Sequence, residues 1–471
     1  FVMATSQRQA LRSAVRCVAT IPGPATQPLV GNYFNFDVAG MFGRPPFHRL
    51  PHYERFGDIW RVSVVGFEMV FVREVEAIRE VVTGPAFGIA DALNKPLKYH
   101  FPTNMLSANE KDWARIRKVF SRALQNYQLQ PMVRSMDDIC RRAFAGVSEG
   151  SAVDVHDLSA KITFDAFHRF AYNMDFNSVE GGGKEILEVA SAYSQALGKR
   201  IRIPIEFLWS LPLPANRRMD AACAELKRHA MEICAARHAG MERGEEPVGV
   251  FEHIMAAGAG AEEDGKLSEA EVVDIVGAML FAAFDTTSST AAMTLNHLAC
   301  HPEIQEELHE SLRDVDLESL SPKEIGQLPF LNAVLNEVNM TTPAASMVAR
   351  TATQDVEIAG HRVVKGTNVY CDWSCAALEP ANWTGPTVGN LSEFNPHRWL
   401  DSKPNKLAFL PFGFGPRMCA GRQLATLEVQ CIVAYAAQNL RLVPDSTRPM
   451  EYATKLVFGP KDGAWLAVHR R

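Results

Sequence analysis

PFGFGPRMCAG, residues 411–421, places three glycines, two prolines, an arginine and a cysteine in eleven positions. Several chemistries compete for such a stretch. A dinucleotide loop needs a third glycine at G-x-G-x-x-G spacing, and a phosphate loop needs Lys-Ser or Lys-Thr after its glycines; neither is present. A catalytic thiol needs a histidine base beside it in space, which no pattern here signals. Half a zinc site is no better supported, since even Cys371 and Cys375 lack a second pair at zinc spacing. The nucleophile is unsignalled rather than excluded, and a buried structural cysteine and a metal thiolate stand beside it.

Composition narrows the field. The chain has 471 residues, 47% hydrophobic and 22% charged, ample for a large core. A formal charge of -6 without a basic stripe speaks against a nucleic-acid partner. Nine cysteines at irregular spacing suit free thiols in an intracellular, reducing compartment better than a disulfide framework.

The first 36 residues contain no acidic side chain, and Arg8, Arg12 and Arg16 recur every four residues opposite Leu11, Ala14, Val15 and Val18. Residues 1–20 therefore read equally as a basic organelle-targeting segment, for plastid or mitochondrion, and as an ordinary surface helix. The N-terminal part holds no apolar run long enough to span a bilayer. The chain starts at Phe1, so an anchor further upstream, and with it membrane association, stays open.

After IPGPATQPLVGN (21–32), the alternating runs DIWRVSVV (58–65) and MVFVREV (69–75) predict strands, and from about residue 110 helical periodicity dominates. The loop GAGAEEDGKL (258–267) is too short for an interdomain linker, so residues 21–471 read as one catalytic domain. Ser268 and Glu271 form a capping-box pattern that opens a helix closed by Pro302, about 32 residues and about 48 Å long. Its uninterrupted apolar stretch falls short of the roughly 18 residues of a membrane span. Its middle, DTTSST (285–290), is polar: buried hydroxyls there either bond back to carbonyls one turn earlier or are used. His297 and His301 stand one turn apart without the glutamate of the zinc-protease pattern, and read as structural.

FGFGPRMCAG (412–421) fits FxxGxRxCxG at all five fixed positions, Phe412, Gly415, Arg417, Cys419 and Gly421, and so resembles the haem-thiolate signature of the cytochrome P-450 family. The resemblance runs from about residue 21 to 470. It implies a mainly α, helix-rich single domain with small β-sheets, and haem b buried between the long central helix and the cysteine loop. Cys419 becomes the axial iron ligand, Phe412 a shield against water, and Arg417 a propionate partner. Thiolate donation favours O–O cleavage. IPGPATQPLVGN looks like the family's proline hinge, and FNPHRW (394–399) like its FxPxRW segment. DWARIR (112–117) supplies Trp113 and Arg117 for the propionates, with Arg350 as a further propionate arginine. AAFDTT (282–287) resembles the oxygen-activating centre, with Asp285 and Thr286 as the acid and alcohol of a proton relay. Ala283 stands where glycine is usual.

One segment departs from the pattern. In LNEVNMTTP (335–343) the family's ExxR motif keeps Glu337 but has Met340 for its arginine. Glu337 is expected to pair with Arg398 alone, since an unpartnered buried charge would cost about 3 to 5 kcal/mol. Met can fill the space of the arginine stem, giving a folded but less tightly braced haem site.

The resemblance favours a monooxygenase that inserts one atom of O2 into a hydrophobic small molecule with electrons from a ferredoxin or flavoprotein reductase. Two alternatives are a hydroperoxide isomerase or dehydratase of the same fold, which usually lacks the relay threonine, and a non-catalytic haem-binding protein, for which Met340 is the main argument. Residues near 84–105, near 195–215, Phe281, Ala344–Val348 and 456–460 would line the pocket by analogy; they are apolar, which suits a lipid, sterol or terpenoid but describes most pockets. Lys118, Arg122 and Arg422 would steer an acidic donor, or are ordinary surface charge. Peripheral membrane contact is a further expectation.

Overall fold

The alternation in DIWRVSVV and MVFVREV becomes an antiparallel pair, Ile59–Val64 with Phe67–Val72, in register Ile59 to Val72. The structure, a computed structural model, describes residues 20–27, 30–32, 37, 42–64, 67–126, 129–202, 206–244 and 267–471. The targeting-like segment with Arg8, Arg12 and Arg16 lies outside the described residues, as does 258–266 of the GAGAEEDGKL loop. The chain divides into two compact units, residues 1–91 with 339–419, and residues 92–338 with 420–471.

The first unit is built on a five-stranded sheet. Phe67–Val72 pairs in parallel with Asn368–Cys371, which pairs antiparallel with Val348–Ala352, and that strand with Phe87–Ile89. One sheet face buries Val70, Val72, Val369 and Cys371 against Ile78, Val81 and Val82 of the helix Val75–Thr83. The Glu74 carboxylate caps that helix by accepting from the amides of Glu76 and Ala77. On the other face Trp60, Phe71 and Tyr370 stack at 4.7 and 5.0 Å between ring centroids. Each such side chain contributes about 1.5 to 3 kcal/mol by leaving water. The proline-rich stretch lies along the first strand: Arg61 N–H donates to the Pro22 carbonyl at 2.9 Å, and the Asn32 side-chain Oδ1 accepts from Ser63 N–H at 2.9 Å.

The second unit surrounds the helix Glu269–Cys300. Ser268 and Glu271 form the expected capping box, and His301 and Pro302 end the helix. Helices Val155–Tyr172, Lys184–Arg202, Pro214–Glu242 and Arg422–Asn439 pack around it. By length and composition this helix would pass for a membrane span, contrary to the sequence reading; 67% of its most apolar window is packed inside the protein, as a core helix requires. Leu440–Pro444, Trp465–Arg470 and Ala152–Asp154 make a three-stranded antiparallel sheet, and Tyr452–Thr454 with Phe458–Pro460 a hairpin.

Candidate functional site

The cysteine loop turns on glycine. Gly413 and Gly415 hold φ of +75° and +74°, the left-handed region that costs a Cβ-bearing residue about 1 to 2 kcal/mol. Their turns let Gly413 N–H reach the Leu410 carbonyl at 2.9 Å and Met418 N–H the Gly415 carbonyl at 3.1 Å. Cys419 N–H donates to the Phe412 carbonyl at 2.9 Å. The result presents Cys419 exposed, with Phe412 and Arg417 partly buried beside it in the sequence.

Six of the seven other described thiols are unlike it, Cys300 alone sharing its exposure. Cys140, Cys223, Cys234, Cys371, Cys375 and Cys431 are buried, and burial raises the pKa of each. A thiol in that condition does not become a thiolate ligand. Cys371 and Cys375 are core residues, as the missing zinc pair suggested. An accessible thiol on a glycine loop fits an axial ligand of haem iron.

The remaining sequence candidates sit on regular elements. Trp113 and Arg117 lie one turn apart on the helix Glu110–Asn126, both partly buried. Arg350 lies mid-strand opposite Ile89 and Val369, and its Nη1 donates to the Ala349 carbonyl at 3.0 Å. Gly421 is the N-cap of the helix Arg422–Asn439.

The DTTSST cluster resolves residue by residue. Thr287, Ser288, Thr290 and Thr294 donate to the carbonyls of Ala283, Asp285, Thr286 and Thr290, the back-bonding expected of helical hydroxyls. Ser289 instead meets His156 Nε2 at 3.4 Å. Among the described residues the Thr286 hydroxyl makes no such bond, so it is the one left available for a ligand or water. Asp285 precedes it. Burial raises the Asp285 carboxyl above its ordinary pKa; a hydrogen bond from Ser194 and the charge of Lys455 oppose the rise without cancelling it. Neither Ser194 nor Lys455 belongs to a motif, and nothing in the local sequence marks them.

His297 and His301 are structural. Burial pushes the His297 imidazole down to about 3, and His301 Nδ1 bonds the His297 carbonyl at 2.8 Å. Phe281, a pocket candidate, is fully buried against Tyr193 and Phe101 at 5.0 and 6.2 Å.

Met340 is wholly buried in an apolar cluster with Ala377, Leu378, Trp383 and Leu391. Arg398, also buried, donates to the carbonyls of Val388, Asn390, Glu393 and Asn395. Glu337 is buried one turn before Met340 on the helix Pro329–Thr341.

Three comparisons bear on this geometry. Leukotriene-B4 omega-hydroxylase 3 of Mus musculus is 28% identical over 388 residues, 77% of this chain and 72% of that protein. Cyclooctat-9-en-7-ol 5-monooxygenase of Streptomyces melanosporofaciens is 26% identical over 455 residues, 93% of each. The solved structure of retinoic acid-bound cyanobacterial CYP120A1 superimposes with a TM-score of 0.79 at 21% identity, covering 96% of this chain and 99% of that one, and so shares the fold. The family model for cytochrome P450 matches residues 21–467, and the chain belongs to that family: it is a haem-dependent monooxygenase.

Proposed function

We propose that this cytochrome P450 hydroxylates a hydrophobic lipid- or terpenoid-like molecule, with Cys419 as the iron ligand and Asp285 and Thr286 as its proton relay. The observation that carries the reading is the Cys419 loop, where positive-φ glycines present an accessible thiol. Trp113, Arg117, Arg350 and Arg417 would pair with the haem propionates, and Phe412 would screen the sulfur. Bound haem supplies the iron at which O2 is activated with electrons from a redox partner.

The protein's own part is proton supply and exclusion of water. A buried carboxyl with a raised pKa holds its proton closer to neutral pH than a surface aspartate does. The Thr286 hydroxyl, not engaged with the helix backbone, can accept a proton at Oγ1 from that side and donate one onward. The substrate reading is supported by relatives whose names include a leukotriene-B4 hydroxylase, an ultra-long-chain fatty acid omega-hydroxylase from Homo sapiens and the cyclooctatenol monooxygenase.

Lys118 is exposed on the helix of Trp113, and Arg422 opens the helix after the cysteine loop. Both suit an acidic electron donor, a ferredoxin or flavoprotein reductase. Peripheral membrane contact is supported by Phe207, Leu211 and Leu213, exposed by 53%, 38% and 46% in one short connection. The buried thiols Cys140, Cys223, Cys234, Cys371, Cys375 and Cys431, held in no disulfide, suit an intracellular setting. The absorption spectrum of the reduced, carbon-monoxide-bound protein tests the central assignment: a red-shifted thiolate Soret band supports it, and its absence from haem-loaded protein overturns it.

A further inference from the structure

Two elements outside the long helix converge on Asp285. Ser194, buried on the helix Lys184–Arg202, donates its hydroxyl to Asp285 Oδ2. One turn later, Gly198 lies directly against the backbone of Lys455 and Leu456: a Cβ there would stand 2.0 Å from the Lys455 carbonyl oxygen. Only glycine permits that approach. Lys455 and Leu456 form the tip of the hairpin Tyr452–Thr454 and Phe458–Pro460, turned by a 3.0 Å bond from Lys455 N–H to the Val457 carbonyl. The other arm of the hairpin rests on the long helix, with Gly459 against Ser289, one turn beyond Asp285.

We propose that Ser194 is the positioning residue of the relay acid, and that Gly198 is the seat through which the hairpin tip brings Lys455 to bear on it. The proposal rests on the reading of Asp285 as that acid. A hydroxyl bonded to Oδ2 stabilises the carboxylate over the neutral acid and fixes its rotamer. Among the described residues Oδ1 accepts no hydrogen bond, so it is the oxygen on which a proton is exchanged. An acid buried without these partners would stay protonated and could not take up the next proton. Lys455 is the one charge among the described residues that acts appreciably on Asp285. Burial lowers the pKa of His156, which faces the same helix through Ser289.

Infrared difference spectra of the resting holoenzyme across pH, with Asp285→Asn assigning the carboxyl band, measure the protonation of Asp285 directly. Ser194→Ala is expected to move the midpoint of that band upward by about 1 to 2 pH units, as expected for loss of a charged hydrogen bond. Lys455→Gln, which leaves the Ser194 bond intact, moves it the same way by less. In turnover, Ser194→Ala raises the share of electrons lost to hydrogen peroxide several-fold and leaves KM unchanged. An unmoved midpoint in Ser194→Ala overturns the proposal; should that variant not fold, an unmoved midpoint in Lys455→Gln does so. If Asp285→Asn itself leaves peroxide loss unchanged, the relay reading of Asp285 falls instead.

Discussion

The Cys419 amide donates to the Phe412 carbonyl at 2.9 Å, so the residue that offers sulfur is tied to the first residue of its own signature. The bond fixes the loop from within, before any cofactor contributes.

Cys419→Ser is expected to abolish the red-shifted Soret band of the reduced carbon-monoxide complex and to reduce monooxygenation to background. Cys300→Ser, at the other exposed described thiol, leaves both unchanged. Paired spectra of the two variants check this, and a thiolate band surviving in Cys419→Ser would falsify the ligand assignment.

The two loop glycines separate strain from crowding. Gly413→Ala meets nothing within 4 Å and carries only the positive-φ cost, about 1 to 2 kcal/mol. Gly415→Ala carries the same cost and also sets its Cβ 3.0 Å from Thr83 Cγ2. Urea denaturation should rank Gly415→Ala as the less stable; equal midpoints would show that Thr83 yields freely.

Met340 is tested by size and by charge. Met340→Ala empties part of a buried apolar cluster and should cost about 2 to 5 kcal/mol, while Met340→Leu should cost under about 1.5 kcal/mol. Met340→Arg sets a guanidinium one turn from buried Glu337 on the same helix. Haem retained through gel filtration is expected to rise in that variant, and no gain would count against a bracing role for the missing arginine.

Acid stability should depend on a buried fork. Arg49 Nε and Nη2 donate to Asp372 Oδ2 and Oδ1 at 2.7 and 2.9 Å, with both side chains at most 1% exposed. Burial alone would raise the Asp372 pKa; Arg49, the Ser374 hydroxyl and the Cys375 amide outweigh it and hold the carboxyl below its usual range. A depressed carboxyl contributes stability above its unfolded pKa of about 3.9 and loses it as pH falls through the folded value. Asp372→Asn should therefore flatten the stability profile below about pH 4. Arg49→Ala should cost about 3 to 5 kcal/mol at neutral pH, by leaving the carboxylate unpaired. Denaturant melts from pH 3 to 7 measure both.

Flotation with phosphatidylcholine vesicles checks membrane contact. Replacing Phe207, Leu211 and Leu213 together by Ser should lower partitioning at least about tenfold, given about 1.5 to 3 kcal/mol per buried apolar side chain. Equal flotation of variant and wild type would remove the segment from consideration.

Legibility varied with the range of the interaction. The cysteine loop, the capping box at Ser268 and Glu271 and the first two strands were readable because each is decided within a few residues by spacing, by φ or by a cap. DTTSST showed that a polar cluster lay in an apolar helix. It could not show which hydroxyl was spared from bonding back; that depends on rotamers, and the structure singles out Thr286. Met340 could be read as a departure from a motif, but its surroundings come from residues up to 51 positions away, the last being Leu391.

The sequence by itself determined the family and marked Cys419, Asp285 and Thr286 as the candidate thiol and acid–alcohol pair, because those rest on residue types at fixed short spacings. Tertiary structure alone decided what holds them. Ser194 reaches Asp285 across 91 positions and Arg49 reaches Asp372 across 323. The hairpin tip at Lys455 finds Gly198 only because two distant segments pack where one of them has no side chain. Contacts of that kind follow from how elements pack once folded, and no local pattern encodes them.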